Sequence, residues 1–264
     1  MLSLSSRRHM LSSAFSILIL LLILSLLAAC GGNAPTQGTT AQSTPTPPPT
    51  FTPTPTPDVP RKDITFRTSD KVSIAAWLYG KPSTTAIICS HERGGNKAQW
   101  DSIAPVFASH GYMVIAYDFR GLGDSGGEQD LGNTYKDVLA AIDYAKKQGA
   151  KKIILLGSSI GTAVSEIAAT HTKVDGVISL SPAYYSPLEK KVFQAVTAPK
   201  LLINSEGDTY SGETRQMYED AVGPKELHIY PGSSAHGTSI FLSENRQDLY
   251  DRILAFIKKY APLS

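Results

Sequence analysis

One serine stands in a setting that suits nucleophilic catalysis. The pattern G-x-S-x-G spans residues 157–161, directly after the apolar run at 152–156 and directly before a helical pattern. In so tight a strand-to-helix turn the flanking residues must be very small, and the helix N-terminus lies beneath the serine. The pattern is short enough to occur by chance, so its position after an apolar strand gives it weight. The sequence therefore predicts Ser159 as a nucleophile, whereas Ser158 lies one place too early.

A serine hydroxyl needs a base to accept its proton, and histidine is the usual base. His236 lies in a loop of small residues at 232–237, after the last predicted strand and before the last predicted helix. This loop opens at the same sheet edge as Ser159, which makes His236 the predicted base. Four other histidines lie in the leader or at predicted helices and strands, where a structural or exposed role is expected: His9, His110, His171 and His228.

The base in turn needs a carboxylate to orient it, and this residue should follow another strand. Asp208 follows the apolar run at 200–204 and lies between the serine and the histidine in chain order. Glu206, two residues earlier, is the rival for this role. Asp118 follows the run at 113–117 but precedes the serine, so we expect it to brace the turn after it.

The N-terminal residues have the pattern of a secretory leader. Arg7 and Arg8 precede an apolar run, and Leu27-Ala28-Ala29-Cys30 follows it. The run could instead be a short membrane-spanning anchor. The tetrapeptide resembles a bacterial lipobox, which implies cleavage before Cys30 and acylation of its thiol. We therefore expect a signal peptide at 1–29 and a lipoprotein anchored to the membrane outside the cytoplasm.

The stretch after the cysteine is a linker. Residues 30–60 are rich in Thr, Pro, Gln and Ser and hold almost nothing apolar, which predicts a disordered, extended stalk before a single domain at 61–264. Without Arg7 and Arg8 the 25 basic side chains fall to 23, equal to the 23 acidic ones, so nucleic acid is not an expected partner. Cys89 would be the one remaining thiol, in an apolar run typical of a core.

The domain alternates between β-rich apolar runs and amphipathic stretches, which predicts an α/β fold whose mostly parallel sheet of about eight strands is flanked by helices. An antiparallel hairpin is expected first, at 64–68 and 72–79. Further strands are expected at 86–90, 113–117, 152–156, 176–180, 200–204 and 227–230. Helices are expected at 99–109, 134–147, 160–170, 212–221 and 244–260.

On these residues the chain resembles the α/β-hydrolase superfamily from residue 61 to its end. Residues 118–125 read D-F-R-G-L-G-D-S, similar to the family's D-x-R-G-x-G-x-S loop, and residues 90–95 stand where the family carries H-G-x-G-G. The resemblance implies an oxyanion hole made by the backbone N–H of Ile160 and by that of Glu92 or Arg93. Glu92 replaces the family's first glycine, and a similar His-Glu pair is found in dienelactone-hydrolase-like relatives.

The resemblance implies a serine hydrolase that forms an acyl-enzyme, with a carboxylic ester as the default substrate and no cofactor or metal. A peptidase or aminopeptidase of the same fold is the nearest alternative, and a binding lipoprotein that has lost catalysis is an alternative of another class. Fewer than twenty residues separate 180 from 200, so no inserted lid domain is expected and the substrates should be small and soluble. Aromatic side chains in this interval are expected to line the site: Tyr184, Tyr185 and Phe193.

Overall fold

The computed structural model describes residues 56–264, which form an eight-stranded sheet. The strands are β1 Arg61–Arg67, β2 Ser73–Tyr79, β3 Thr85–Ser90, β4 Met113–Tyr117, β5 Lys152–Ser158, β6 Gly176–Leu180, β7 Lys200–Ser205 and β8 Lys225–Tyr230. They lie in the order β1-β2-β4-β3-β5-β6-β7-β8. Among these strands only β2 runs against the others, because it pairs antiparallel with both β1 and β4. The expected mostly parallel sheet is therefore confirmed.

Six α-helices and two 3₁₀ helices flank the described sheet. The α-helices are α1 Ala104–Ser109, α2 Tyr135–Lys147, α3 Ile160–His171, α4 Lys190–Ala195, α5 Ser211–Asp220 and α6 Arg246–Tyr260. The 3₁₀ helices are Lys97–Trp100 and Gly237–Leu242. Between β6 and β7 the structure holds only the short helix α4, in agreement with the expectation that no lid domain is inserted there.

Helices cover both faces of the sheet, and the central strands are buried on both sides. In β5, Ile153 and Leu155 pack with residues of α2 and α3, whereas Ile154 and Leu156 face α1 and α6. Because successive side chains of a strand point to opposite faces, a strand covered on both sides must be apolar at every position. This is why β5 could be recognised as a continuous apolar run.

One expected helix begins at the wrong residue. The sequence predicts a helix over 99–109, but the structure has the 3₁₀ helix Lys97–Trp100 followed by α1, which begins at Ala104. Pro105 explains the difference, because proline is accepted in the first turn of a helix and disrupts its interior. The helix α4 was not predicted, and the final helix begins at Arg246 instead of residue 244.

The expected leader at 1–29, Cys30 and most of the expected linker at 30–60 lie outside the described residues. Within residues 56–264, no helix has both the length and the apolar character needed to cross a bilayer.

Candidate active site

Three loops that follow parallel strands bring the candidate residues to one edge of the sheet. Ser159 follows β5, Asp208 lies in the loop after β7, and His236 lies in the loop after β8. Parallel strands point their carboxyl ends to the same edge, and open α/β sheets bind their ligands there. The order of strands places β6 between the serine strand and β7, which carries the aspartate loop.

The turn at Ser159 has an unusual backbone conformation. Its φ is 52° and its ψ is −122°, a left-handed conformation that is unusual for any residue except glycine. A Cβ at Gly157 would lie 2.5 Å from the carbonyl oxygen of Gly161, and a Cβ at Gly161 would overlap that of Ser90 at the end of β3. Both small residues are therefore required, because the turn packs directly against its own helix and against β3.

His236 and Asp208 are joined by a short hydrogen bond. Nδ1 of His236 lies 2.6 Å from Oδ2 of Asp208, and Oδ1 of Asp208 accepts the backbone N–H of Tyr210 at 2.7 Å. The aspartate side chain is 1% exposed and that of the histidine 35%. With its Nδ1 proton donated to the carboxylate, the neutral imidazole keeps Nε2 as an acceptor. Within residues 56–264 no hydrogen bond joins Ser159 to His236; such bonds often tighten only when substrate is bound.

Glu206, the rival carboxylate, points to the backbone. It accepts the N–H of Gly232 at 3.2 Å, and its neighbour Gly207 donates to the carbonyl of Ser233 at 2.8 Å. These contacts join the aspartate loop to the histidine loop. The carboxylate in contact with the imidazole is that of Asp208.

Glu92 joins two loops through one carboxylate oxygen. Its Oε1 accepts the hydroxyl of Ser158 at 2.7 Å, the backbone N–H of Thr238 at 2.7 Å and the hydroxyl of Thr238 at 2.8 Å. Ser158 immediately precedes Ser159, and Thr238 lies two residues after His236. The side chain therefore fixes the turn at Ser159, the proposed nucleophile turn, to the histidine loop, a role that was not predicted from the sequence.

The candidate oxyanion donors differ in whether their N–H already has an acceptor. The N–H of Ile160 is the first of helix α3 and so has no acceptor within its own helix. The N–H of Glu92 donates to Oε1 of Gln99 at 3.0 Å, and Arg93 is exposed. The glutamine side chain therefore occupies one of the two amides that could serve as the second donor.

Two buried residues hold the loops beneath the site. His91 stacks on Phe119 at 3.7 Å; its Nε2 accepts the Phe119 N–H, so its Nδ1 donates to the carbonyl of Glu92. Burial lowers the pKa of His91 to about 4, which keeps it neutral. Asp118 accepts the N–H and the ammonium group of Lys97, at 2.7 and 2.6 Å, and the N–H of Asp124 at 2.8 Å. It thus braces the turn that follows it.

Aromatic rings form one wall beside the triad candidates. Tyr185 packs edge-on against Tyr210 at 5.0 Å between ring centroids, and Tyr210 lies 5.9 Å from the ring of His236. Tyr184 is directed elsewhere: its ring packs on Phe193, and its hydroxyl donates to Asp220 at 2.8 Å. Tyr210 was not predicted from the sequence, although its position two residues after Asp208 was a usable signal.

Comparison with known proteins agrees with this architecture. The family model "Serine aminopeptidase, S33" matches residues 81–201. The structure of the Pyrococcus furiosus esterase Pf2001 superimposes with a TM-score of 0.69 at 21% identity, over 81% of this chain and 99% of that one. The alpha/beta hydrolase GrgF from Penicillium sp. sh18 gives 0.68 at 21% identity, over 76% and 99%. The chain has the α/β-hydrolase fold.

In sequence, the chain is similar to monoglyceride lipase of Mus musculus. The two are 30% identical over 155 residues, which is 55% of this chain and 51% of the lipase. The chain spans about half the length of the curated relatives it matches.

The candidate site has the parts that acyl transfer requires. A serine in a tight turn, a helix N-terminus beneath it and an imidazole oriented by a buried carboxylate can together form and break an ester bond. The thiol of Cys89 does not compete as a nucleophile, because it is fully buried and burial raises its pKa. In the described part of the chain, no group of three or more His, Cys, Asp or Glu side chains could hold a metal ion.

Proposed function

We propose that this protein is a serine hydrolase that cleaves carboxylic esters through an acyl-enzyme, with Ser159 as nucleophile, His236 as base and Asp208 as the orienting carboxylate. The observation that carries the proposal is the 2.6 Å contact between Asp208 and His236, on loops that open at the same sheet edge as the left-handed turn at Ser159. A glycine would adopt this turn without strain, so a serine there implies a use for its hydroxyl.

The proposed reaction has two halves. Nε2 of His236 takes the Ser159 proton while Oγ attacks the ester carbonyl, and the same proton then passes to the leaving alcohol. Water, deprotonated by His236, next attacks the acyl-serine, and Ser159 regains its proton as the acid leaves. The oxyanion of each tetrahedral intermediate is bound by the N–H of Ile160 and by a second N–H. This is the amide of Arg93, or that of Glu92 once the Gln99 side chain has turned away.

The relatives guide the choice of substrate. One relative is named an esterase and another a monoglyceride lipase, which favours ester hydrolysis. The family model is named for serine aminopeptidases, so cleavage of an aminoacyl amide is the second candidate. Because only the helix α4 stands between β6 and β7, we propose small soluble substrates and an open site. We also propose a relationship to dienelactone-hydrolase-like enzymes, and the His91–Glu92 pair is the support for it.

Labelling with a fluorophosphonate probe tests the nucleophile. The wild-type protein should be labelled and should hydrolyse p-nitrophenyl acetate, whereas Ser159→Ala should lose both properties, with turnover falling at least ~10³-fold. Ser234→Ala is the matched control, because Ser234 is an exposed serine of the histidine loop. Ser158→Ala does not serve as a control, since its hydroxyl binds Glu92.

The outcomes separate the alternatives. Faster cleavage of an aminoacyl p-nitroanilide than of the ester would favour the aminopeptidase. Absence of labelling and of both activities in the folded wild-type protein would favour a binding protein without catalysis.

We also propose that Cys30 carries a lipid and anchors the protein outside the cytoplasm. The support is the tetrapeptide Leu27-Ala28-Ala29-Cys30 followed by a Pro- and Thr-rich stretch. Extended at ~3.1 Å per residue, that stretch would hold the domain up to roughly 90 Å from the bilayer. Cys30→Ser should move the protein from the detergent phase to the aqueous phase in Triton X-114 partitioning. Retention in the detergent phase through a cleaved and acylated terminus elsewhere would refute the assignment.

A further inference from the structure

Ser181 lies directly after β6 and has a strained, left-handed backbone conformation, although it is not a glycine. Its φ is 49°, and only two other non-glycine residues in the described part of the chain have a positive φ, Lys71 and the candidate nucleophile Ser159. A glycine would adopt this conformation freely. Strain held by a side-chain-bearing residue is a reason to ask what the side chain does.

Every polar atom of Ser181 has a partner, although the residue is fully buried. Its N–H donates to the carbonyl of Ile203 at 2.8 Å, and its own carbonyl accepts the hydroxyl of Tyr185 at 3.1 Å. Its Oγ accepts the backbone N–H of Gly237 at 2.8 Å and donates to Oδ1 of Asn204 at 2.7 Å. The contact with Gly237 reaches the residue that immediately follows His236.

The direction of these bonds leaves the hydroxyl one orientation. The Gly237 N–H can only donate, so the single Ser181 proton must go to Asn204. The amide of Asn204 is itself held, because its Nδ2 donates to the hydroxyl of Thr214 at 2.9 Å, and that hydroxyl donates to the carbonyl of Pro182 at 2.7 Å. A fixed acceptor therefore faces the histidine loop.

We propose that Ser181 is a positioning residue that holds the peptide between His236 and Gly237, and through it the imidazole, in the geometry for proton transfer. The inference rests on the proposed function. Three contacts converge on this loop: Ser181 binds the residue after the histidine, Glu92 binds the next residue, and Asp208 binds the ring. Of the three, only Ser181 contacts the loop solely through the loop's backbone, so it sets where the loop lies without touching the reacting atoms.

Two substitutions at this position distinguish the effect of the hydroxyl from the effect of the backbone strain. Ser181→Ala removes the hydroxyl and keeps the strained φ, whereas Ser181→Gly removes the hydroxyl and relieves the strain. We expect kcat for p-nitrophenyl acetate to fall about 10- to 100-fold in both variants, since a misplacement of about 1 Å can cost that much, with KM changed less than about threefold. The second-order rate of fluorophosphonate labelling should fall in parallel, and Ser181→Gly should be the more stable of the two in urea.

Lys71→Gly is the matched control for strain, because Lys71 is an exposed residue with a φ of 69° outside the site. It should leave kcat unchanged. If Ser181→Gly keeps the wild-type kcat, the hydroxyl does not position the histidine and the inference is wrong. If the wild-type protein is neither labelled nor active, the proposed function has failed instead.

A second pair of variants keeps the test decisive if neither Ser181 variant folds. Thr214→Val removes the hydroxyl that orients Asn204, and Thr214→Ser retains it. We expect Thr214→Val to lower kcat and the labelling rate about threefold to tenfold, and Thr214→Ser to keep both within about twofold. Equal kcat values in the folded Thr214 variants would overturn the inference.

Discussion

Replacing Glu92 by alanine should loosen the nucleophile turn and the histidine loop together, because one carboxylate oxygen binds both. Three donors would lose their acceptor: the hydroxyl of Ser158 and the N–H and hydroxyl of Thr238. A buried donor without a partner costs about 1–3 kcal/mol. Glu92 is itself only half-buried, so water can enter the vacated space and the lower figure applies to each donor. We expect a loss of about 3 kcal/mol in the free energy of unfolding.

Urea unfolding followed by tryptophan fluorescence measures this loss, with the buried Trp100 as the reporter. For a slope of about 2 kcal/mol per molar urea, the midpoint should fall by about 1.5 M. Glu92→Gln keeps an oxygen acceptor in place and loses only the charge, so its loss should be about 1 kcal/mol. Arg93→Ala, at the exposed neighbouring residue, should stay within about 0.5 kcal/mol of wild type.

The two Glu92 variants also bear on catalysis. Because Ser158 and Thr238 flank the proposed nucleophile and base, kcat should fall in the same order as stability, with Glu92→Ala below Glu92→Gln. Unchanged midpoints in both variants would show that the three hydrogen bonds contribute nothing. A stable but inactive Glu92→Gln would mean that the charge acts on the reaction itself, which contradicts a role in joining the loops.

Two further predictions concern buried ionisable groups. The folded-state pKa of His91 is lowered by burial from 6.5 to about 4, so its contribution to stability is complete above pH 6.5 and is lost as the pH falls towards 4. The free energy of unfolding should therefore fall by about 3 kcal/mol over this pH range. Urea unfolding at several pH values measures the fall, which should be absent from His91→Asn. Glu166 is buried, and neither of its carboxylate oxygens has a hydrogen-bond partner among residues 56–264; burial raises its pKa against the attraction of Lys200. Wild-type stability relative to Glu166→Gln should therefore be greatest at low pH and decline as the pH rises through the raised pKa, and a flat difference from pH 5 to 9 would contradict this.

Central strands were the most predictable part of the fold. The expected strands at 113–117 and 176–180 coincide with β4 and β6, and every residue of both is buried. A strand covered on both faces leaves an unbroken apolar run, which can be recognised without knowing its neighbours. The start of α1 was missed because the apolar pattern continues through Pro105, where the chemistry of the proline ring decides the boundary.

The candidate site also has residues that could be predicted from the sequence and residues that could not. Ser159, Asp208 and His236 could be proposed from sequence because each follows a recognisable strand, and the parallel arrangement carries their loops to one edge. The contacts that hold these loops join residues far apart in the chain: 146 positions separate Glu92 from Thr238, and 56 separate Ser181 from Gly237. The residue types do not predict such a role, since a glutamate or a serine in a loop is usually solvated.

A local signal for Ser181 does exist in its backbone geometry, although not in its residue type. Ser159 and Ser181 follow neighbouring strands, and both have a left-handed φ. The N–H of Ser159 donates to the carbonyl of Leu180, the residue before Ser181, at 2.9 Å. The two strained turns are thus coupled through one peptide, so a shift of the nucleophile turn moves the acceptor that faces the histidine loop. The proposed nucleophile and the proposed base would then be held in position relative to each other by the end of β6, which carries neither of them.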